Sequence, residues 1–118
     1  MKNKPLNVRM GFAINGLLEA YRGEKSFRFQ VVVTILTMAF LGLVQPPLIW
    51  WAIIIIMVGL VLFAELTNTA IEILCDYVQP EHSESIRKIK DISAGAVFVL
   101  SLCSVLVGLF FLLELLGG

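Results

Sequence analysis

Charge is scarce in this chain. Only 15% of its 118 residues are charged, nine basic and nine acidic, where a soluble domain carries about 25%. There is one histidine, and the two cysteines, Cys75 and Cys103, both fall on stretches that read as membrane helices. Such cysteines read as small apolar residues, neither a disulfide framework nor a redox pair, and a lone histidine gives no zinc spacing. No Walker A loop is present, so any nucleotide site must be of another kind. What the chain has in excess is apolar: 58% hydrophobic residues and a mean hydropathy of +0.91. A chain of 13.1 kDa buries too little surface to hide that excess in a globule. A soluble enzyme, a disordered chain and a disulfide scaffold are excluded.

Three apolar stretches stand out, about residues 29–44, 48–64 and 92–113. As helices they reach roughly 24, 25 and 33 Å, against a hydrocarbon thickness of about 30 Å. A membrane barrel would show short alternating segments instead of unbroken runs. The expected fold is therefore an all-α membrane protein with three transmembrane helices. The second continues past Ala64 to about residue 76, because no Pro or Gly interrupts it. A further helix is expected over about 6–27, where Val8, Phe12, Ile14, Leu17, Leu18 and Tyr21 alternate with Arg9, Asn15, Glu19, Arg22 and Glu24. That mixed pattern suits an amphipathic helix lying on the membrane surface. No repeat, low-complexity tract or linker divides residues 1–118, which read as one domain. The first apolar run follows 28 residues that include Glu19 and Glu24, and no A-x-A site follows Val44, a pattern unlike a cleaved signal peptide.

The basic residues are placed asymmetrically. Lys2, Lys4, Arg9, Arg22, Lys25 and Arg28 precede the first span, and Arg87, Lys88 and Lys90 precede the third. None flanks Gln45-Pro46-Pro47 and none follows the third span. The positive-inside rule assigns the N-terminus and the loop before the third span to the cytoplasm, with the proline hairpin and the C-terminus outside. Trp50 and Trp51, just past the prolines, suit an aromatic belt at the outer interface.

On the continuation of the second span, Asn68, Glu72 and Asp76 lie at about −60°, −20° and +20° around the helix from Glu65. Four polar groups thus share one face of an otherwise apolar helix. Glu65 lies about 25 Å from the outer prolines, near the inner hydrocarbon boundary, where a lipid-facing carboxylate costs a few kcal/mol. A stop-transfer flank accounts for Asp76 but not for Glu65 or for the shared face. The topology brings Glu24, Arg28, Lys90 and Asp91 to the same plane. Carboxylates, an amide and a lysine gathered there form a candidate magnesium–phosphate site, since Mg²⁺ takes one or two carboxylates plus phosphate oxygens and lysine pairs with phosphate. Taken alone, His82 reads as a solvated loop residue.

The run Glu65-Leu66-Thr67-Asn68-Thr69-Ala70-Ile71-Glu72, with Asp76 beyond it, resembles E-x-x-N-[ST]-A-I-E-x-x-x-D of the prokaryotic diacylglycerol kinase / undecaprenol kinase family. The later run Lys90-Asp91-Ile92-Ser93-Ala94-Gly95-Ala96-Val97 is similar to the family's K-D and small residues, and Glu24-Lys25-Ser26-Phe27-Arg28 to its E-x-x-[FM]-R. The resemblance covers nearly the whole chain. It implies a homotrimer in the bacterial cytoplasmic membrane. Each chain would transfer the γ-phosphoryl group of ATP to the hydroxyl of a membrane lipid alcohol, undecaprenol or diacylglycerol, with Mg²⁺ and with no nucleic acid involved. By position it implies Glu65 as general base, Glu24 and Glu72 as magnesium ligands, and Asn68 and Asp76 shaping the site. Glu81, His82, Ser83, Lys90 and Asp91 would contact ATP together with Glu24, Glu72 and Asp76. Arg28 and Ala94 would approach the lipid, and Arg28 the phosphates as well. Phe12 stands where the diacylglycerol branch tends to carry tyrosine. The stretch Ala94–Val97 and the pair Asn68-Thr69 look more like the undecaprenol branch. Two rivals from other classes remain at this stage: a small multidrug transporter, which needs four spans and a mid-membrane acid, and a structural subunit, which needs no carboxylate face.

Overall fold

The computed structural model describes residues 3–117; Lys2, counted above among the basic residues, lies outside them. The described chain is helical throughout: α1 (Leu6–Gly23), α2 (Lys25–Val44), α3 (Leu48–Val78) and α4 (Glu84–Gly117). No strand occurs among the described residues. Helices α2, α3 and α4 are each long and apolar enough to cross a membrane. Helix α3 packs chiefly on α4 and next on α2, while α1 touches α2 and α3.

Local chemistry sets the breaks. Pro5 has a φ of −57° and lacks an N–H, which suits the entry of α1; its carbonyl accepts from the Val8 and Arg9 amides. Between α1 and α2 there is a single extended residue, Glu24 (φ −123°, ψ 116°). Its N–H donates to the Ala20 carbonyl, closing α1, and its own carbonyl accepts from the Arg28 N–H, opening α2. Helix α2 ends at Gln45, which sits in the left-handed region at φ 55° and ψ 57°. Its N–H donates to the Leu41 carbonyl and its side-chain Nε2 to the Gly42 carbonyl at 2.8 Å. Pro46 and Pro47 then prevent the helix from continuing, and α3 starts behind Pro47.

Helices α3 and α4 extend well beyond their most apolar stretches. Hydropathy marks where a helix enters hydrocarbon, not where it begins. The hydrophobic run starting at Ile92 is preceded by two further turns of α4, nucleated at Ser83, whose Oγ accepts from the Ile86 N–H at 3.4 Å. Three hydroxyls within the apolar helices are satisfied internally: Thr34 Oγ1 donates to the Gln30 carbonyl, Thr37 Oγ1 to Val33 and Ser104 Oγ to Ser101, each at 2.8 Å. That back-bonding lets a hydroxyl sit in hydrocarbon without a partner helix.

The best-packed region lies at the proline end. Leu41, Ile54 and Phe111 are buried there, with Trp50 and Trp51 packed against them. Phe111 meets Phe40 edge-on at 6.3 Å between ring centroids and Trp50 at 5.1 Å. The two tryptophans are half-buried and act as packing residues as well as interface residues. An open cavity of about 540 Å³ runs beside this cluster between α2, α3 and α4.

Candidate functional site

Helix α3 carries the polar face on one uninterrupted 31-residue helix, so the spacing of its side chains is set by the helix alone. Glu65 is buried at 7% exposure, beside the buried Ala64 and Thr69. One turn further, Asn68 and Glu72 are half-buried, and Asp76 is exposed. Asn68 Nδ2 donates to Glu72 Oε1 at 3.2 Å, which fixes the amide's orientation and leaves Oδ1 as the remaining acceptor. That oxygen is buried with no hydrogen-bond partner among the described residues. Buried polar atoms are normally partnered, so an orphan acceptor marks a place for a donor or a cation. Glu65 likewise receives no hydrogen bond from any described residue.

The fourth group comes from the α1–α2 corner. Glu24 is half-buried, and its negative charge, with that of Glu72, acts on Glu65. Three carboxylates are thereby brought into one field by two separate parts of the chain. The corner is held by Arg28, whose Nη1 donates to the carbonyls of Tyr21 and Arg22, both at 2.9 Å. These are carbonyls that the last turn of a helix leaves without an amide partner.

The second assembly is a cavity of about 330 Å³ at the α3–α4 connection, lined by Asp76, Glu81, His82, Ser83, Lys90 and Asp91 among others. Four of its charged side chains, Asp76, Arg87, Lys90 and Asp91, are held in ion pairs. Lys90 Nζ bonds Asp76 Oδ1 at 2.6 Å across the two helices. Arg87 bonds Glu84 at 2.7 Å and Asp91 at 2.6 Å along α4. The hydrogen bond to Asp76 raises Lys90 above the ordinary lysine range, with the neighbouring negative charges adding to the effect, so its ammonium is charged at neutral pH. Lys90 also feels Glu72 and so links the cavity electrostatically to the carboxylates of α3.

The expected site residues therefore fall into two adjoining groups. Glu24, Glu65, Asn68 and Glu72 form one; Asp76, Glu81, His82, Ser83, Lys90 and Asp91 line the other. Arg28 stands beside the first group but spends Nη1 on backbone carbonyls. Ala94 is exposed, whereas its neighbour Ser93 is buried. Arg87, which had no site role on sequence alone, also lines the cavity. The spacing Glu84, Arg87, Asp91 was the available signal, since residues three and four apart on a helix pair in this way. Thr69 and Ser93 are buried polar residues as well, a burial that their place in the motifs did not foretell.

No three His, Cys, Asp or Glu side chains among the described residues are placed to hold a metal together. Two carboxylates and an unpartnered amide oxygen are nonetheless an all-oxygen donor set. Such a set suits a magnesium ion whose other ligands are waters and substrate phosphate, the usual arrangement for Mg²⁺ in phosphoryl-transfer sites.

Residues 11–112 match the family described as prokaryotic diacylglycerol kinase, and the chain belongs to that family. It is 34% identical to an undecaprenol kinase of Bacillus subtilis (strain 168) over 98 residues, 83% of this chain and 80% of the relative. It is 33% identical to a diacylglycerol kinase of Pseudomonas aeruginosa over 89 residues, 75% of this chain and 72% of the relative. The protein is accordingly a membrane enzyme, a lipid kinase. The transporter and structural-subunit readings fall away, the former also because three candidate spans, not four, occur among the described residues.

Proposed function

We propose that this kinase transfers the γ-phosphoryl group of ATP to the hydroxyl of undecaprenol, in preference to diacylglycerol, at the cytoplasmic face of the bacterial inner membrane. The observation that carries the reading is Glu65. It is a buried carboxylate with no hydrogen-bond partner among the described residues, set in the field of Glu24 and Glu72, on a helix that leads directly to the polar cavity. Its depth on α3, about 25 Å from the prolines, suits a lipid hydroxyl at the interface.

In this reading the Glu65 carboxylate accepts the proton of the lipid hydroxyl as its oxygen bonds the γ-phosphorus. The bond from that phosphorus to the β–γ bridging oxygen breaks, and ADP leaves. Glu24 and Glu72 would hold Mg²⁺, with Asn68 Oδ1 within the same polar group, and the ion would supply charge neutralisation on the phosphates. Asn68 orients Glu72 through the bond described above. Asp76, Glu81, His82, Ser83, Lys90 and Asp91 take the nucleotide, and Lys90 exchanges its Asp76 contact for phosphate. Arg28 keeps Nε and Nη2 for the lipid head or phosphates, and Ala94 faces the lipid. Little covalent work falls to the protein, because phosphoryl transfer depends mainly on positioning and charge.

Residues 1–118 act as one domain, with the N-terminus cytoplasmic and the C-terminus outside. Three copies assemble. In a single chain Glu24 and Glu72 are only half-covered and Asp76 is exposed, which supports neighbouring copies closing the site. The choice of undecaprenol rests on Ala94–Val97, on Asn68-Thr69 and on the relative with the larger matched share. Purified protein given Mg-ATP with undecaprenol or diacylglycerol, in separate reactions, tests it: initial rates should favour undecaprenol. A preference for diacylglycerol overturns the substrate choice, and no phosphorylation of either lipid overturns the mechanism.

A further inference from the structure

Glu65, Asn68 and Glu72 share one helix, so their mutual positions need no help from elsewhere. Glu24 is different. It belongs to neither α1 nor α2 and sits at a one-residue joint in extended conformation. A one-residue joint between two helices is a natural place for the chain to open locally. Arg28 bridges it twice. Its backbone N–H donates to the Glu24 carbonyl at 3.1 Å. Its guanidinium Nη1 donates to the Tyr21 and Arg22 carbonyls, at 2.9 Å each, on the far side of the joint. The charge makes these bonds stronger than neutral ones and places a cation at a helix C-terminus, the end that favours it.

From this geometry we infer that Arg28 is a positioning residue: it clamps the α1–α2 corner so that the Glu24 carboxylate is held towards Glu65 and Glu72 before substrate arrives. The inference rests on the proposed role of Glu24 as a metal ligand. It assigns Arg28 work through the backbone, separate from any contact with lipid or phosphate. A guanidinium reaches two carbonyls from one nitrogen on a rigid fork, which a lysine ammonium on a flexible stem imitates only in part.

The test compares Arg28→Gln, Arg28→Lys and Glu24→Gln in the full-length protein. Amide hydrogen exchange is measured over residues 18–26 without metal or nucleotide, and lipid phosphorylation is titrated with Mg²⁺. Arg28→Gln should speed exchange at the corner about tenfold, as expected when a charge-assisted bond is lost. It should also raise the Mg²⁺ requirement several-fold, with a smaller loss in kcat. Arg28→Lys should recover part of both. Unchanged exchange in Arg28→Gln overturns the clamp, since a residue acting only on phosphate or lipid would alter turnover and leave the substrate-free corner as it was. Faster exchange with an unmoved Mg²⁺ requirement overturns the link to Glu24. If Glu24→Gln itself leaves the Mg²⁺ requirement unchanged, the ligand assignment fails and the inference with it. The exchange data distinguish that failure from failure of the clamp.

Discussion

The two ends of the helical bundle are built on opposite rules. At the proline end Leu41, Ile54 and Phe111 are buried, and aromatic rings pack at 5.1 and 6.3 Å. At the other end a buried glutamate has no described hydrogen-bond partner and a buried amide oxygen is left unpaired. Charges there are drawn together in place of side chains that fill space. The proline end carries packing with no chemistry; the polar end carries unmet hydrogen-bonding capacity, which lowers stability unless something binds. Stability and turnover should therefore separate cleanly under mutation.

The largest effect is expected from Glu65→Gln. If Glu65 is the general base proposed above, its loss costs about 10²–10⁴ in rate, measured as lipid phosphorylation, while helix content and oligomer size stay as they were. The opposite case is Phe111→Ala. A large core ring replaced by alanine costs roughly 3–5 kcal/mol in soluble proteins, and the low end is expected where lipid replaces water as the outside phase. Thermal unfolding in detergent reads the loss, and activity per folded molecule should hold. Glu72→Gln should raise the Mg²⁺ requirement at least about tenfold, the scale on which metal-site substitutions act, with a thermal midpoint close to that of the parent. Lys90→Gln should raise the KM for ATP several-fold and leave the lipid KM unchanged, because Lys90 lines the cavity and pairs there with Asp76. Smallest is Gln45→Gly. A left-handed non-glycine residue costs about 1 kcal/mol, so glycine should stabilise the hairpin by up to that amount, less the Gly42 hydrogen bond it forfeits.

How much of this was legible in the sequence depends on the range of the interaction. The α3 face was fully legible, because positions 65, 68, 72 and 76 lie on one helix and the period of 3.6 places them. The length of α4 was less so. Apolar runs signal the membrane, and the two turns before Ile92 are held by a serine cap and by Glu84–Arg87–Asp91 pairs, which carry no hydropathy. The tryptophans beyond the prolines showed as interface residues, but the tilted contact of Trp50 with Phe111 joins residues far apart in the chain. The double bond of Arg28 to Tyr21 and Arg22 was least legible. It depends on the backbone turning at Glu24, and a Gly-Glu pair in a mixed segment gives little notice of a turn.

A joint of one residue has no slack. Adding a residue on the α1 side of Glu24 would rotate the whole of α1 by about 100° against α2, and adding one on the other side would carry the carboxylate itself away from α3. The connection across 79–83 between α3 and α4 is longer and lies at the surface, where extra residues cost little. Insertions and deletions in chains of this architecture should therefore be excluded from the corner at Glu24, while at the α3–α4 connection the limit is set by Glu81, His82 and Ser83, which line the cavity, and not by chain closure.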